Sequence, residues 1–482
     1  MNTIKKHINI LLLGCCSLNF ISCTDLTEEI FSDITEDSYK YEAGDATKVV
    51  GAAYTNLQDW GYCGSGQAPM LSQEICTDAA VFPANGSGWD DGGVFRRMHQ
   101  HSWNSEQLQV NRLWEVCYSG IILANRAISI INQDDFPFAA NENKAAMIAE
   151  SRALRAFYYW YIMDNFGDAP LVTEPTSELP VKTSRKDLYD FIVKELKESF
   201  SDLPTEKNES NYGRFTLWGA KALLANVYLN AEVYTGTPQW SAAAEYAKKV
   251  MDAGFSLAPN YGDNFLADNN TSPEMILPIC YDGVQTRSWS GLFFIASFIS
   301  GDMNALDDFG TKEAWGGNRA RMALVKKFAS DGDLSKTADT RASFWTTDRT
   351  FEINKPTEFT EGYSVTKFKN ITKSGQIGHD PNQQFPDMDF PLFRLAEANL
   401  TFAEATLRAG GDKQAALSAI NQLRKRAKAT EITATDLTLD FVLDEKAREF
   451  YFEAQRRTDL IRYNKFTSNY TWDWKGETAG GT

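Results

Sequence analysis

Two histidines, His99 and His101, stand one residue apart in Met98-His-Gln-His-Ser-Trp103. On a strand that spacing would put both imidazoles on one face, where they could begin a zinc site. No third His or Cys stands nearby to extend it, so the pair reads as a surface or packing feature. No metal and no cofactor are expected. His379 is isolated beside Asp380-Pro381 and reads as a turn residue. Acids cluster at Asp90-Asp91, Asp307-Asp308, Asp331/Asp333 and Asp387/Asp389, but with 64 acids in the chain such clusters arise by chance. Glycoside hydrolysis needs two carboxylates about 5–10 Å apart across a sugar, and no spacing here marks such a pair. His-Glu-x-x-His, Gly-x-Ser-x-Gly and Gly-x-x-x-x-Gly-Lys motifs are all missing. The metalloprotease, hydrolase and phosphate-loop readings therefore lose their support, and no catalytic residue is assigned.

The aromatic residues say more. Phe157-Tyr-Tyr-Trp-Tyr161 is a continuous run on a strongly helical segment and reads as core. Phe82, Trp89, Trp103, Trp289 and Trp315 instead sit among glycine, serine and asparagine. An indole in such a loop either plugs the scaffold or offers a flat apolar face, and the residues alone leave both readings open. A flat face suits the C–H surface of a sugar ring. If each stacked ring contributes on the order of 1 kcal/mol, a few of them give about millimolar affinity. A polymer with repeated epitopes could still be held through multivalency.

Helical segments must position these loops. Apolar periodicity predicts helices over about 45–60, 106–132, 144–166, 185–203, 216–231, 241–253, 391–409, 413–429 and 439–463, with a short one near 319–329. In the pair 216–253, Trp218, Ala222, Ala225 and Leu229 share a face, and Ala243, Ala247 and Val250 line the second helix. In the pair 391–429, Leu395, Ala398, Phe402 and Ala405 face Ala416, Ile420, Leu423 and Ala427 across Gly410-Gly411. Small alanines at a crossing, with an aromatic filling the gap, resemble tetratricopeptide helix pairs. The segment 151–166 and the helix before it suggest another copy. The expected fold is mostly α: a helix-pair scaffold carrying irregular binding loops at about 61–104 and 258–391. Irregular stretches of that length are uncommon unless functional.

The formal charge is −16, which repels nucleic acid and anionic polymers and favours a neutral ligand. Residues 1–22 fit a secretory signal: Lys5 and Lys6 open it, an apolar stretch runs from Ile8 to Ile21, and no acid precedes Asp25. It ends in Phe20-Ile-Ser-Cys23, which resembles the lipobox of bacterial lipoproteins, so Cys23 is the expected lipidation site and acyl chains the expected membrane anchor. Residues 23–34 read as a tether and 35–482 as a single domain. Cys63, Cys76, Cys117 and Cys280 are widely spaced, and both bridges and buried thiols remain open.

Several segments together carry a family resemblance. They are Arg152-Ala-Leu-Arg-Ala-Phe-Tyr-Tyr-Trp160, Asn165-Phe-Gly-Asp-Ala-Pro-Leu-Val172, Pro273-Glu-Met-Ile-Leu-Pro278, Phe390-Pro-Leu-Phe-Arg-Leu-Ala-Glu397 and Glu449-Phe-Tyr-Phe-Glu-Ala-Gln-Arg-Arg-Thr-Asp-Leu-Ile-Arg462. In this order, behind a lipobox, the chain resembles the SusD/RagB family of outer-membrane glycan-binding lipoproteins. Asn230-Ala-Glu-Val-Tyr-Thr-Gly236, Asp282-Gly-Val-Gln-Thr-Arg287 and Trp472-Asp-Trp-Lys-Gly476 make it most similar to the family's starch-binding member. The resemblance implies an α-glucan ligand, a SusC-type TonB-dependent transporter as partner and surface display on the outer membrane. It also implies that Trp289 and Trp315 are platform rings, with Phe82 near a third position. Asn85 and Arg287 are the implied hydroxyl-binding neighbours. Pro83-Ala84 lacks that member's second Trp, and Gly86 to Gly93 reads as an inserted loop carrying Trp89.

Overall fold

Glycine where two helices touch allows a close approach, and Gly120 serves that purpose. A methyl group there would collide with the ring of Tyr158, whose hydroxyl donates to Ala53 O at 2.8 Å. These residues belong to three helices of a computed structural model: α1 (Asp45–Gln58), α3 (Leu108–Ile131) and α4 (Lys144–Phe166), with the short α2 (Val94–Gln100) between the first two. The structure describes residues 39–58, 69–82, 93–287, 303–312, 316–470 and 472. The chain divides into units Met1–Glu42 and Ala43–Thr482, and the second is described below. The lipidation site Cys23 lies outside the described residues.

Local signals set the helix ends. Asn143 caps α4 by accepting Ala146 N–H at 3.1 Å, and Gly167, at φ 78°, stops it. Next come α5 (Arg185–Ser199), α6 (Leu217–Leu229) and α7 (Trp240–Met251). Toward the C-terminus lie α8 (Leu395–Arg408), α9 (Lys413–Arg426), α10 (Leu439–Phe450) and α11 (Arg456–Arg462). Helices pack in sequence order: α3 on α4, α4 on α5, α6 on α7, α7 on α8, α8 on α9. The alanine faces lie at these contacts. Ala243, Ala247 and Val250 of α7 are buried, as are Ala416, Ile420 and Leu423 of α9. Gly410, at φ 67°, makes the turn between α8 and α9, and Asp412 caps α9. Stacked helix pairs are what the periodicity predicts.

Three predicted elements come out differently. The stretch 390–394 is not the start of a helix but a fully buried strand, β8 (Phe390–Arg394), paired antiparallel with β4 (Met275–Ile279). A short apolar run buried on both faces carries no period to separate strand from helix. The segment 439–463 is broken into α10 and α11, with Phe452 and Ala454 at φ 64° and 62°. That left-handed geometry is held from outside: the Glu74 carboxylate accepts Ala454 N–H at 3.0 Å. Residues 319–329 hold a two-residue strand and one short turn, Met322–Val325.

Small strands knit the irregular region. Arg319–Ala320 (β5) lies between Ala80–Val81 (β1) and Ser364–Val365 (β7), and Phe344–Trp345 (β6) adds to the far edge. Ala169–Pro170 (β2) and Lys182–Thr183 (β3) form a separate ribbon. A buried charge cluster fastens the region to the helices. Arg394 pairs with Glu274, Glu449 and Glu453, each at 2.7 Å, and Arg341 reaches Glu445 at 2.8 Å and Glu449 at 3.0 Å. Burial pushes the Glu449 carboxyl up, but Arg426, Arg394 and Arg341 outweigh it and hold it well below the usual range. Charges in the 444–462 segment thus act in packing. Cys76, Cys117 and Cys280 are free thiols, while Cys63 lies outside the described residues. Among the described residues, no helix is long and apolar enough to cross a membrane.

Candidate functional site

Of the residues implicated in ligand binding, Trp289, Trp315, Trp89 and Asn85 lie outside the described residues. What is described is the ground on which their loops stand. The chain entering the Trp289 segment turns at Asp282, whose carboxylate accepts Val284 and Gln285 N–H at 2.7 and 2.8 Å. Gly283 N–H donates to Asp387 Oδ1 at 2.9 Å, and His379 N–H donates to Asp387 Oδ2 at 2.7 Å. Arg287 follows, exposed, with Nε donating to Gly283 O at 3.2 Å. Its guanidinium adds to the field that keeps Asp380 ionised. Burial raises the Asp380 carboxyl, and the Phe385, Asn382 and Gln384 N–H groups, helped by Arg287, bring it below its ordinary value.

The chain entering the Trp315 segment lands on the same 379–387 stretch that holds Gly283. Lys312 N–H donates to Gln383 O at 2.8 Å. Asn370 ties both sides: its N–H donates to Phe309 O at 2.8 Å, its Nδ2 to Gly310 O at 3.1 Å, and its Oδ1 accepts Asp387 N–H at 2.9 Å. A side chain at Gly310, φ 67°, would run into the Asn370 carbonyl. On the far side of Trp315, the Phe359 ring lies 3.1 Å from where a Gly316 Cβ would stand. Arg319 holds that ring's loop, donating from Nη2 to Pro356 O at 2.6 Å and from Nη1 to Glu361 O at 2.5 Å. Burial, with Arg349 nearby, draws the Arg319 guanidinium down to about 9.

Beneath the turn, Asp389 accepts Tyr212 O–H at 2.6 Å and Tyr281 N–H at 2.9 Å. Burial raises its carboxyl to about 6, against the two donors. In the sequence, Asp387 and Asp389 look like chance acids. They are the anchors of the loop base, and the signal that marks them is their flanking: two acids on alternate positions directly before the apolar run Phe390–Phe393 of a fully buried strand.

Phe82 is a correction. Expected among the ligand-facing rings, it is 1% exposed, with its centroid 6.5 Å from that of Phe95 and 5.6 Å from that of Phe452. It closes the apolar run Ala79–Phe82 and belongs to the core. Trp103 also packs on the core, its ring 5.0 Å from that of His101. The histidine pair diverges. His99 is buried between Ile75 O (3.1 Å) and the Phe82 backbone, while His101 Nε2 meets Cys76 O at 2.6 Å. Burial and the Arg321 charge hold His99 well below its ordinary value.

Comparisons with known proteins agree with this architecture. A family model described as the SusD family matches residues 304–481, and one described as "Starch-binding associating with outer membrane" matches residues 31–229. The starch-binding protein SusD of Bacteroides thetaiotaomicron is 38% identical over 381 residues, covering 69% of this chain and 67% of that protein. A SusD-like protein of Bacteroides ovatus is 26% identical over 454 residues, covering 85% and 80%. Among solved structures, a laminarin-binding SusD-like protein superposes with a TM-score of 0.71 at 21% identity, covering 89% of this chain and 92% of its own. Surface glycan-binding protein A of Bacteroides thetaiotaomicron, solved with laminarihexaose, gives 0.67 at 23% identity, covering 88% and 91%. Likeness at these identities speaks for the fold, and the 38% relative speaks for descent. The chain belongs to the SusD family.

Proposed function

We propose that this protein binds a neutral glucan at the cell surface without cleaving it and passes it to a SusC-type TonB-dependent transporter in the outer membrane. Acyl chains on Cys23 hold it there. Trp289 and Trp315 are the stacking platforms, Trp89 lies on the inserted loop, and Asn85 and Arg287 bind hydroxyls. Phe82 supports the loop from the core and does not touch ligand.

One observation carries the reading: the chain leading to Trp289 and the chain leading to Trp315 are fastened to one short stretch, 379–387, through Asp387 and Gln383. Fixed roots let two indoles from separate loops serve one ligand with little ordering cost. The net charge of −16 suits an uncharged polymer. Starch is the first choice, because the relative named for it is the more similar one. Laminarin is the second, since one structural neighbour is named for binding it and another is solved with laminarihexaose.

Affinity electrophoresis tests this directly. Migration of the purified protein should be retarded in gels containing starch and released by added maltooligosaccharide. Unchanged migration in starch, laminarin and every other neutral polysaccharide would overturn the proposal. Reducing-sugar release from the same polysaccharides would overturn its non-catalytic part.

A further inference from the structure

A cleft of about 650 Å3 opens between the 206–213 loop, the end of α7 and the approach to β4. This lies within the size range of small-ligand sites, ~300–1,000 Å3. Two half-buried rings, Tyr212 and Phe255, line it, and both are fixed. Tyr212 is fastened through its hydroxyl to Asp389. Phe255 carries the Lys207 ammonium 4.5 Å from its centroid, and that ammonium also caps Ala253 O at 3.0 Å and Gly254 O at 2.5 Å.

The amides in the cleft are held with some valences in use and others open. Asn208 Oδ1 accepts Asn211 N–H at 3.1 Å and Ser210 O–H at 2.8 Å, which leaves its Nδ2 donors open. Asn211 Nδ2 donates to Glu206 O at 3.0 Å, which leaves its Oδ1 open as an acceptor. Asn270 lines the same space, exposed, with both functions available. Two held amides offering donor and acceptor, with the exposed Asn270 offering both, between two aromatic rings, match hydroxyls on an apolar ring. The one cation is already satisfied by carbonyls, and Glu206 and Glu209 stand at the cleft, so an anionic ligand is disfavoured.

We infer that this cleft, built by Tyr212, Phe255, Asn208, Asn211 and Asn270, is a second binding site for a neutral oligosaccharide, independent of the Trp289/Trp315 loops. The inference rests on the glucan-binding reading for the class of ligand, but not for the place. A polymer held at two points is retained better than one held at either alone.

The test follows side-chain amide signals of 15N-asparagine-labelled protein during titration with maltoheptaose and, separately, laminarihexaose, each to about 10 mM, which reaches millimolar sites. Signals assigned to Asn208, Asn211 and Asn270 should shift with at least one sugar and shift equally in a Trp289→Ala/Trp315→Ala variant. In Asn270→Ala, whose lost side chain is exposed, the remaining two should need a severalfold higher sugar concentration. No shift at these asparagines with either sugar, or shifts that vanish in the double Trp variant, would overturn the second site. Failure of the glucan proposal reads out elsewhere, as unretarded migration in polysaccharide gels.

Discussion

Gly283 N–H and Asp387 Oδ1 lie 2.9 Å apart, and this contact joins the chain before Trp289 to the 379–387 stretch that also receives Lys312. Asp387 accepts a second backbone donor from His379, so its carboxylate closes two loop contacts at once. Replacing it with alanine removes both acceptors. A hydrogen bond to a charged group contributes ~1.5–3 kcal/mol. With two such bonds removed, Asp387→Ala should lower unfolding stability by about 3–6 kcal/mol and weaken retention in starch gels. Chemical denaturation and electrophoresis of the same preparation check both, and intact retention would detach the anchor from binding.

The buried charge cluster predicts a larger effect. Arg394→Met keeps much of the volume but leaves Glu274, Glu449 and Glu453 short of one counter-charge in a site where all are fully buried. Breaking one partner of such a cluster costs ~3–5 kcal/mol. Urea denaturation should show a loss of that order, and a loss below about 1 kcal/mol would contradict the clamp.

Gly316 stands at φ 73° with the Phe359 ring against it. Alanine there must adopt a left-handed backbone, at ~1–2 kcal/mol, and push on Phe359. Because Gly316 adjoins Trp315 in sequence, Gly316→Ala should weaken starch retention by about tenfold, while Phe359→Leu, which relieves the contact, should restore part of it in the double variant. Retention unaffected by Gly316→Ala would separate this loop from the site.

His99 supplies a pH dependence. Its folded-state value is depressed by burial and Arg321, so the unfolded chain takes up a proton first as pH falls. Stability from this group is therefore fully present above the unfolded value near 6.5 and is lost as pH falls from there toward the folded value. Between pH 7.5 and 5.5 the wild type should lose more stability than His99→Gln. Parallel pH profiles for the two proteins would contradict the assignment.

How much of this could be read from sequence follows from where each signal resides. The α6–α9 stack was legible because Ala243/Ala247/Val250 and Ala416/Ile420/Leu423 repeat at helical spacing, and a local period needs no partner to be seen. β8 was not, since Phe390–Phe393 is apolar throughout. The break at Phe452–Ala454 depends on Glu74, hundreds of residues away, and Asp387 earns its role only when Gly283 meets it. Phe82 resembles a ligand ring only by its place after a shared motif, whereas the four-residue apolar run it ends is buried throughout and contains the strand β1. Side chains that act through distant partners leave little trace in a local reading.

Isothermal titration with maltoheptaose, wild type against Trp289→Ala/Trp315→Ala, tests the central claim most directly. The wild type should give saturable heat, with a dissociation constant of about 1 mM or lower, and the double variant at least a tenfold loss with unfolding stability unchanged. Two superimposable isotherms would contradict it.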